Sequence, residues 1–258
     1  MVELLGLVYS PWTEKARFAL DARRVRFRFR GYTPLLGEPA LRLKTRRFTG
    51  AVTVPVLTRD DGVVLTDSLA IARWADTQGA GPRLFPPERE AEMINLVDLS
   101  ERALAAGRGL SLLRMLDDSE ALREMVPRAV RRPLGPLAGA LGRAGVKRTL
   151  AKYGVCGAAR EPHASELARC LDAPREALAA APPPEASPTA PKAPRTLLGE
   201  LTFADIAMAQ ALAFVEPPAF GLRLGHASRR SFTDPGLSAR YADLVTWRDA
   251  LYETHRPR

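Results

Sequence analysis

The sequence predicts an α/β domain over residues 1–83 and an all-helical domain over residues 91–258. In the first region, short apolar or alternating segments are separated by segments with helical spacing, which is the order of a small sheet covered by helices. The segment 84–90 contains two prolines, breaks that pattern and predicts a linker. Beyond it the apolar residues recur at helical spacing and no strand pattern returns.

The composition is that of a globular protein with a basic surface. The 258 residues are 46% hydrophobic and 26% charged, and no apolar run approaches the ~18 residues that a membrane span requires. The start of the chain lacks the pattern of a secretory signal, so we expect a cytoplasmic protein with no membrane partner. The net charge of +9 comes mainly from arginines scattered among acidic residues, and we therefore expect no nucleic-acid partner.

Cysteine and histidine usage argues against a metal site. The chain has two cysteines, Cys156 and Cys170, and three histidines, and none of them forms a recognised ligand motif. We therefore expect no bound metal and two buried thiols that form no disulfide.

The first three elements follow a β-α-β order. Residues 3–9 are short and apolar and predict a buried strand. A helix follows, because Ser10 is a favourable N-cap and Pro11 suits the first helical position. Residues 24–30 alternate arginines with apolar residues, which predicts a half-buried edge strand whose charges oppose pairing with other sheets.

A hairpin and a second helix complete the first domain. After a basic stretch at 41–50 that is a loop or a helix, residues 52–57 and 63–65 predict two strands joined by a turn at residues 60–62. Residues 66–68, Thr-Asp-Ser, then begin a helix with apolar residues at helical spacing. The sequence thus predicts one four-stranded sheet covered by helices.

The second domain is predicted to contain at least four helices. The spacing of apolar residues places them at 93–115 as one long helix or two in line, at 121–153 with interruptions at Pro133 and Pro136, at 166–180 and at 237–253.

Two further features stand between the last predicted helices. The proline-rich segment 181–196 cannot bury apolar surface and predicts an exposed loop. Thr202 and Asp205 match a capping box, with Leu201 and Ile206 as its hydrophobic staple, so a helix is expected to begin there.

Four stretches of the sequence resemble the glutathione transferase family. They are YSPWTEKARFAL at 9–20, VPVL at 54–57, TDSLAIARW at 66–74 and LLGELTFADIAMA at 197–209. The serine before Pro-aromatic in the first stretch is similar to that of tau-like members, whereas omega-like members carry a cysteine there. The resemblance implies a thioredoxin-like domain that binds glutathione, followed by the helical C-terminal domain of these transferases.

The resemblance also implies where glutathione binds. Pro55 is expected to be cis, with the backbone of Val54 pairing with the cysteine of the tripeptide. Asp67 and Ser68 are expected to hold its γ-glutamyl end, where a helix start favours a carboxylate. In the alternative interpretation, Pro55 only shapes the strand, and Asp67 and Ser68 only cap a helix.

Ser10 is the expected catalytic residue, because a hydroxyl at this turn can stabilise the thiolate of glutathione. The alternative is that Ser10 is only an N-cap, with Tyr9 as the reserve candidate. Trp12 is expected to contact glutathione as part of the site's wall, or to pack between the domains. The basic residue that meets the glycine carboxylate stays open among Arg42, Lys44, Arg46 and Arg47.

The implied function is conjugation of glutathione to a hydrophobic electrophile, as in detoxification, by a homodimer without a metal. Two alternatives stay open at this point. One is a transferase-like binding or scaffold protein, and the other is a glutathione-dependent isomerase or dehalogenase.

Overall fold

The computed structural model describes residues 1–34, 36–156, 160–181 and 194–257. The proline-rich loop predicted at 181–196 falls largely on residues 182–193, which lie outside the described residues.

A four-stranded mixed sheet forms the centre of the N-terminal region. Its strands are β1 (Glu3–Gly6), β2 (Arg28–Gly31), β3 (Val56–Thr58) and β4 (Val64–Leu65), in the order β2-β1-β3-β4. β1 pairs with β2 in parallel and with β3 antiparallel, and β3 pairs with β4 antiparallel. The predicted sheet, its hairpin and the edge position of β2 are confirmed, although each strand is shorter than the sequence pattern.

Three helices cover the two faces of this sheet. They are α1 (Pro11–Ala22), α2 (Glu38–Thr45) and α3 (Ser68–Gln78). α1 and α3 bury Leu20 and Ile71 with Leu4 and Leu57 of the sheet. α2 buries Leu41 in a separate apolar cluster with Val52 and Val56. The basic stretch after residue 40 therefore includes part of a helix.

The rest of the described chain is helical or loop, as predicted. Its helices are α4 (Glu90–Met115), α5 (Ser119–Glu124), α6 (Arg128–Leu134), α7 (Ala138–Lys152), α8 (Arg160–Ala180), α9 (Phe203–Ala211), α10 (His226–Phe232), α11 (Pro235–Arg240) and α12 (Ala242–His255). The predicted residues 93–115 thus form one continuous helix. None of the helices in the described ranges has the length and apolar character needed to cross a membrane.

Three helix predictions need correction. The segment 121–153 forms α5, α6, a 3-10 turn and α7 rather than one interrupted helix, and the segment 237–253 is divided between α11 and α12. The break falls at Tyr241, whose hydroxyl donates to the backbone oxygen of Ala168 and to the Asp172 carboxylate. α8 begins six residues before the predicted start at Glu166. Of the two thiols, Cys170 is buried but Cys156 is exposed.

One apolar cluster joins the N-terminal region to the helices that follow it. Phe18 of α1 and Ala72 of α3 belong to the same buried cluster as Leu104 of α4 and Ile206 of α9. The predicted capping box between Thr202 and Asp205 begins α9. This packing brings α4 and α9 against α1 and so places helical residues beside the end of the sheet described next.

Candidate functional site

The register of the sheet brings three predicted site segments to one edge, the one formed by the ends of β1 and β4 and the start of β3. Leu5 near the end of β1 pairs with Val56 at the start of β3, so the turn after β1 and the turn before β3 lie at the same end. β4 runs antiparallel to β3 with Leu65 opposite Leu57, so β4 also ends there. The Val54–Pro55 bond directly precedes β3, and short connections lead from β1 to Ser10 and from β4 to the start of α3.

Ser10 is the N-cap of α1 and is 91% buried. Its hydroxyl oxygen accepts a long hydrogen bond of 3.4 Å from the backbone N–H of Thr13. A hydroxyl that accepts a hydrogen bond still has its own hydrogen to donate. The geometry therefore permits Ser10 to cap the helix and to donate to a bound sulfur at the same time.

Tyr9 is less suited to activate a thiol. It lies in the turn between β1 and α1, and burial raises the pKa of its phenol to about 12. A higher phenol pKa makes the hydroxyl a weaker hydrogen-bond donor toward a thiolate.

Trp12 lies at the interface between α1 and the helical region. Its indole N–H donates to the Glu101 carboxylate of α4 at 2.6 Å. On the Trp12 ring lies the guanidinium of Arg108, with its central carbon 4.9 Å from the ring centroid. Of the two expected positions for Trp12, the structure shows the one between the two regions, and direct contact with glutathione stays a prediction.

The Val54–Pro55 peptide bond is cis, as the resemblance implies. Val54 stands just before β3, and among the described residues its backbone N–H and C=O have no backbone partner. Unpaired backbone groups at a sheet edge are a template for an added extended peptide. β3 itself has β1 and β4 on its two sides, but Val54 lies before its paired part, so the backbone groups of Val54 can accept such a peptide.

The start of α3 offers a second set of polar groups. Asp67 is exposed and is the N-cap, with Oδ1 accepting from the backbone N–H of Leu69 at 2.6 Å. Ser68 is 96% buried, and its hydroxyl bonds to no described residue. The unpaired N–H groups of the first helical turn and the Ser68 hydroxyl can together bind a carboxylate, and the second oxygen of Asp67 can accept from an ammonium.

A buried lysine connects these two helix starts to α4. The Lys15 ammonium donates to Ser100 at 2.8 Å and to Glu101 at 2.7 Å and has no exposed surface. Burial lowers the pKa of Lys15, and the carboxylates of Glu101 and Asp67 oppose that shift. Asp67 is thus close enough to Lys15 for their charges to interact.

Two of the four basic candidates for the glycine carboxylate are occupied elsewhere. Lys44 donates to Glu3 and Thr58, near the opposite end of β1 from Ser10. Arg42 donates to Glu38 and to two backbone oxygens. Arg46 and Arg47 make no side-chain hydrogen bond within the described residues, so they stay as candidates.

The helical region supplies residues that the sequence analysis did not identify. The Lys152 ammonium at the end of α7 donates to the backbone oxygen of Val52 at 2.9 Å, two residues before Val54. Arg148 of α7 pairs with Glu38 at 3.6 Å. These contacts join residues about 100 positions apart, and no local pattern in the sequence marks them.

Two cavities stand apart from this edge. One of about 550 Å³ lies between α4, α8 and residues 197–199, and one of about 580 Å³ is lined by Arg123, Arg128, Arg131 and Arg132. Neither includes a predicted site residue. Within the described ranges, no group of three or more histidine, cysteine or acidic side chains is arranged to hold a metal ion.

Comparison with known proteins identifies the fold. Residues 9–78 match the family model for the N-terminal domain of the glutathione S-transferases. No curated protein matches the chain. The N-terminal match and the sheet described above establish the thioredoxin-like domain of these transferases, followed by a mostly helical region.

Solved structures of transferases share this fold over nearly the whole chain. A glutathione S-transferase domain-containing protein from Marinobacter aquaeolei is 18% identical with a TM-score of 0.59, covering 97% of each chain. A glutathione S-transferase of Ceriporiopsis subvermispora in complex with glutathione is 17% identical with a TM-score of 0.60, covering 100% of this chain and 98% of the other. A family member from Pseudomonas fluorescens with bound glutathione is 19% identical with a TM-score of 0.53, covering all of both chains.

Proposed function

We propose that this protein is a glutathione transferase that joins the sulfur of glutathione to an electrophilic carbon. The observation that carries the proposal is the convergence of Ser10, the backbone of Val54 and the start of α3 at one edge of the sheet. Together these groups offer a hydroxyl donor, the unpaired backbone groups of Val54 and a carboxylate site. Glutathione bound to neighbours of the same fold supports the choice of ligand.

Each group has one task in the proposed mechanism. Asp67 accepts from the ammonium of the γ-glutamyl residue, and Ser68 with the first turn of α3 binds its carboxylate. The backbone of Val54 pairs with the cysteine residue of glutathione and aims its sulfur at the start of α1.

Ser10 then lowers the pKa of the bound thiol. A hydrogen bond from its hydroxyl, together with the partial positive charge of the α1 N-terminus, stabilises the thiolate. A free thiol titrates near 8.5, so a decrease of about two units makes the thiolate the major form at neutral pH. The sulfur forms a bond to carbon, and the leaving group departs with the bonding electrons, or water supplies the proton when the acceptor is a carbon–carbon double bond.

The protein is further proposed to act as a cytoplasmic homodimer in detoxification. Exposed apolar side chains are found in both regions, Leu43 and Phe48 near α2 and Leu137 and Leu141 near α7. A second copy can cover both patches by pairing each region with the other region of its partner. Sedimentation velocity tests this: Phe48→Asp is expected to shift the protein toward monomer, and a wild-type monomer at micromolar concentration excludes the dimer.

Calorimetric titration with glutathione tests the tripeptide site. Wild-type protein is expected to bind, and Ser68→Ala is expected to weaken binding about tenfold, because it removes a hydrogen bond to a charged group. The matched control is Ser119→Ala. Ser119 also occupies the first position of a helix after an aspartate, but α5 lies away from the proposed site. Equal weakening in both variants, or no binding by the wild type, contradicts the proposal.

A further inference from the structure

Arg108 of α4 is held between two aromatic rings at the proposed site. The central carbon of its guanidinium lies 4.9 Å from the centroid of Trp12 and 3.4 Å from that of Tyr153. Within the described ranges its Nε is buried without a hydrogen-bond partner. Two other partly or fully buried arginines differ: Arg256 bonds to Glu14 at 2.7 Å, and Arg114 bonds to Asp234.

Glu101, whose charge acts on Arg108, makes no hydrogen bond to it within the described residues. Glu101 uses one oxygen for the Trp12 indole and the other for the Lys15 ammonium. Burial lowers the pKa of Arg108, yet a guanidinium keeps its proton at neutral pH. A partly desolvated cation without a hydrogen-bonded anion is costly, and an anion from a ligand removes that cost.

The two rings around Arg108 belong to segments next to the proposed tripeptide site. Trp12 is two residues after Ser10 in the first turn of α1. Tyr153 follows Lys152, which bonds to the Val52 backbone near the segment that would pair with the tripeptide. Arg108 therefore lies between two rings whose sequence neighbours belong to the proposed tripeptide site or contact it.

A histidine of α8 adds a second polar group next to α4. His163 of α8 packs against Gly109 so closely that a Cβ at Gly109 would lie 2.7 Å from its ring. Burial and the charge of Arg108 lower the pKa of His163, and its Nε2 is buried without a described partner. Two aromatic rings and one guanidinium thus lie near an imidazole that packs on the same helix.

We propose that the second substrate of this enzyme carries a carboxylate, which Arg108 binds between the rings of Trp12 and Tyr153. The rings supply apolar contact for an aromatic or unsaturated body, and the guanidinium selects acids over neutral electrophiles of the same shape. This inference rests on the proposed transferase function, because the second substrate is defined by its reaction with the bound tripeptide.

The test compares three ligands by calorimetry: glutathione, its S-carboxybenzyl thioether and its uncharged S-carbamoylbenzyl thioether. All three report on binding alone and need no turnover. Wild-type protein is expected to bind the carboxylate thioether about tenfold more tightly than the amide, the effect of a charge-assisted hydrogen bond. Arg108→Gln is expected to abolish that preference and to leave the affinity for glutathione within about twofold.

Two further variants distinguish an effect of the charge at position 108 from an effect on folding. Arg108→Lys keeps the positive charge but cannot stack between the rings as a planar guanidinium does, so it is expected to retain only part of the preference. Arg102→Gln removes a charge from the exposed side of the same helix and is expected to change nothing. Thermal unfolding of all variants shows whether the fold is intact.

Three results overturn the inference in distinguishable ways. Equal wild-type affinity for the two thioethers refutes the carboxylate preference and leaves the transferase proposal standing. A large loss of glutathione affinity in Arg108→Gln assigns the guanidinium to a carboxylate of the tripeptide itself. Failure of the wild type to bind any of the three ligands refutes the transferase proposal on which the inference rests.

Discussion

Helices α3 and α9 each have, at their N-terminal end, an aspartate that accepts at least one hydrogen bond from a backbone N–H group. Asp67, the N-cap of α3, accepts from the N–H of Leu69 through one oxygen. Asp205, in the first turn of α9, accepts from the N–H groups of Leu197 and Thr202 and from the Thr202 hydroxyl, at 2.7 to 3.0 Å. The two aspartates are the same chemical group near a helix start, Asp67 as the N-cap and Asp205 as the third helical residue, but only Asp205 has hydrogen-bonded partners on both oxygens.

Burial separates the two helix starts further. Asp67 is exposed, whereas Asp205 has no exposed surface, and burial raises its pKa to about 6 against the opposing effect of its hydrogen bonds. The fold therefore uses the whole hydrogen-bonding capacity of Asp205. At α3 the second oxygen of Asp67 and the hydroxyl of Ser68 stay unbonded to described residues, and a ligand can use them.

A third helix start shows that the sequence pattern alone does not assign a function. Asp118 and Ser119 begin α5 with the same two residues in the same order as Asp67 and Ser68. Asp118 accepts from the N–H groups of Glu120 and Ala121, and its other oxygen pairs with Arg230. What distinguishes α3 is its place at the sheet edge beside Ser10 and Val54.

The largest effect that this comparison predicts concerns stability. Asp205→Ala leaves two buried N–H groups and a buried hydroxyl without an acceptor, and we expect a loss of about 3 kcal/mol in the free energy of unfolding. Asp67→Ala removes an exposed cap and is expected to cost about 1 kcal/mol or less. Urea denaturation of both variants measures the two values.

In ligand binding, the variant with the smaller loss of stability is expected to show the larger loss of affinity. Asp67→Ala is expected to weaken glutathione binding, while folded Asp205→Ala, measured at low temperature, is expected to bind as the wild type does. Comparable stability losses in the two variants would show that burial and hydrogen-bond saturation do not separate the two helix starts.

Much of the N-terminal region was predictable because its signals are local. Ser10 before Pro11, the turn at residues 60–62 and Asp67 before Ser68 fix the starts and ends of elements within a few residues. The same local pattern placed the capping box of α9 correctly.

The helical region was predicted less well because its breaks depend on distant partners. The predicted single helix over 237–253 is divided at Tyr241, whose hydroxyl bonds to α8 about 70 residues away. α5 ends at Glu124, whose carboxylate accepts from the N–H groups at the start of α10, a helix that the sequence analysis missed. No local sequence pattern indicates either contact.

The residues of the candidate site differ in the same way. Those at the sheet edge were predicted, whereas Glu101, Arg108 and Lys152 were not. Each of these meets Trp12 or Val52 only after α4 and α7 have packed against the N-terminal region. An arginine without a paired acid is indistinguishable in sequence from the many arginines on the surface of this basic chain.

The start of α1 leads to a prediction with a smaller expected effect on stability. Ser10 accepts a hydrogen bond that caps its helix, and its hydroxyl hydrogen stays available for a ligand. Ser10→Ala is expected to cost about 1 kcal/mol or less in stability, since its hydrogen bond to Thr13 is long. The variant should raise the pKa of the thiol of bound glutathione by one to two units. Turnover of a chlorodinitrobenzene should therefore fall about tenfold at neutral pH and much less at pH 9. Tyr9→Phe, the matched control, should keep the wild-type profile. If Ser10→Ala leaves the pH–rate profile unchanged, Ser10 only caps its helix. The start of α1 would then serve the fold alone, like the start of α9, and would have no part in ligand binding, unlike the start of α3.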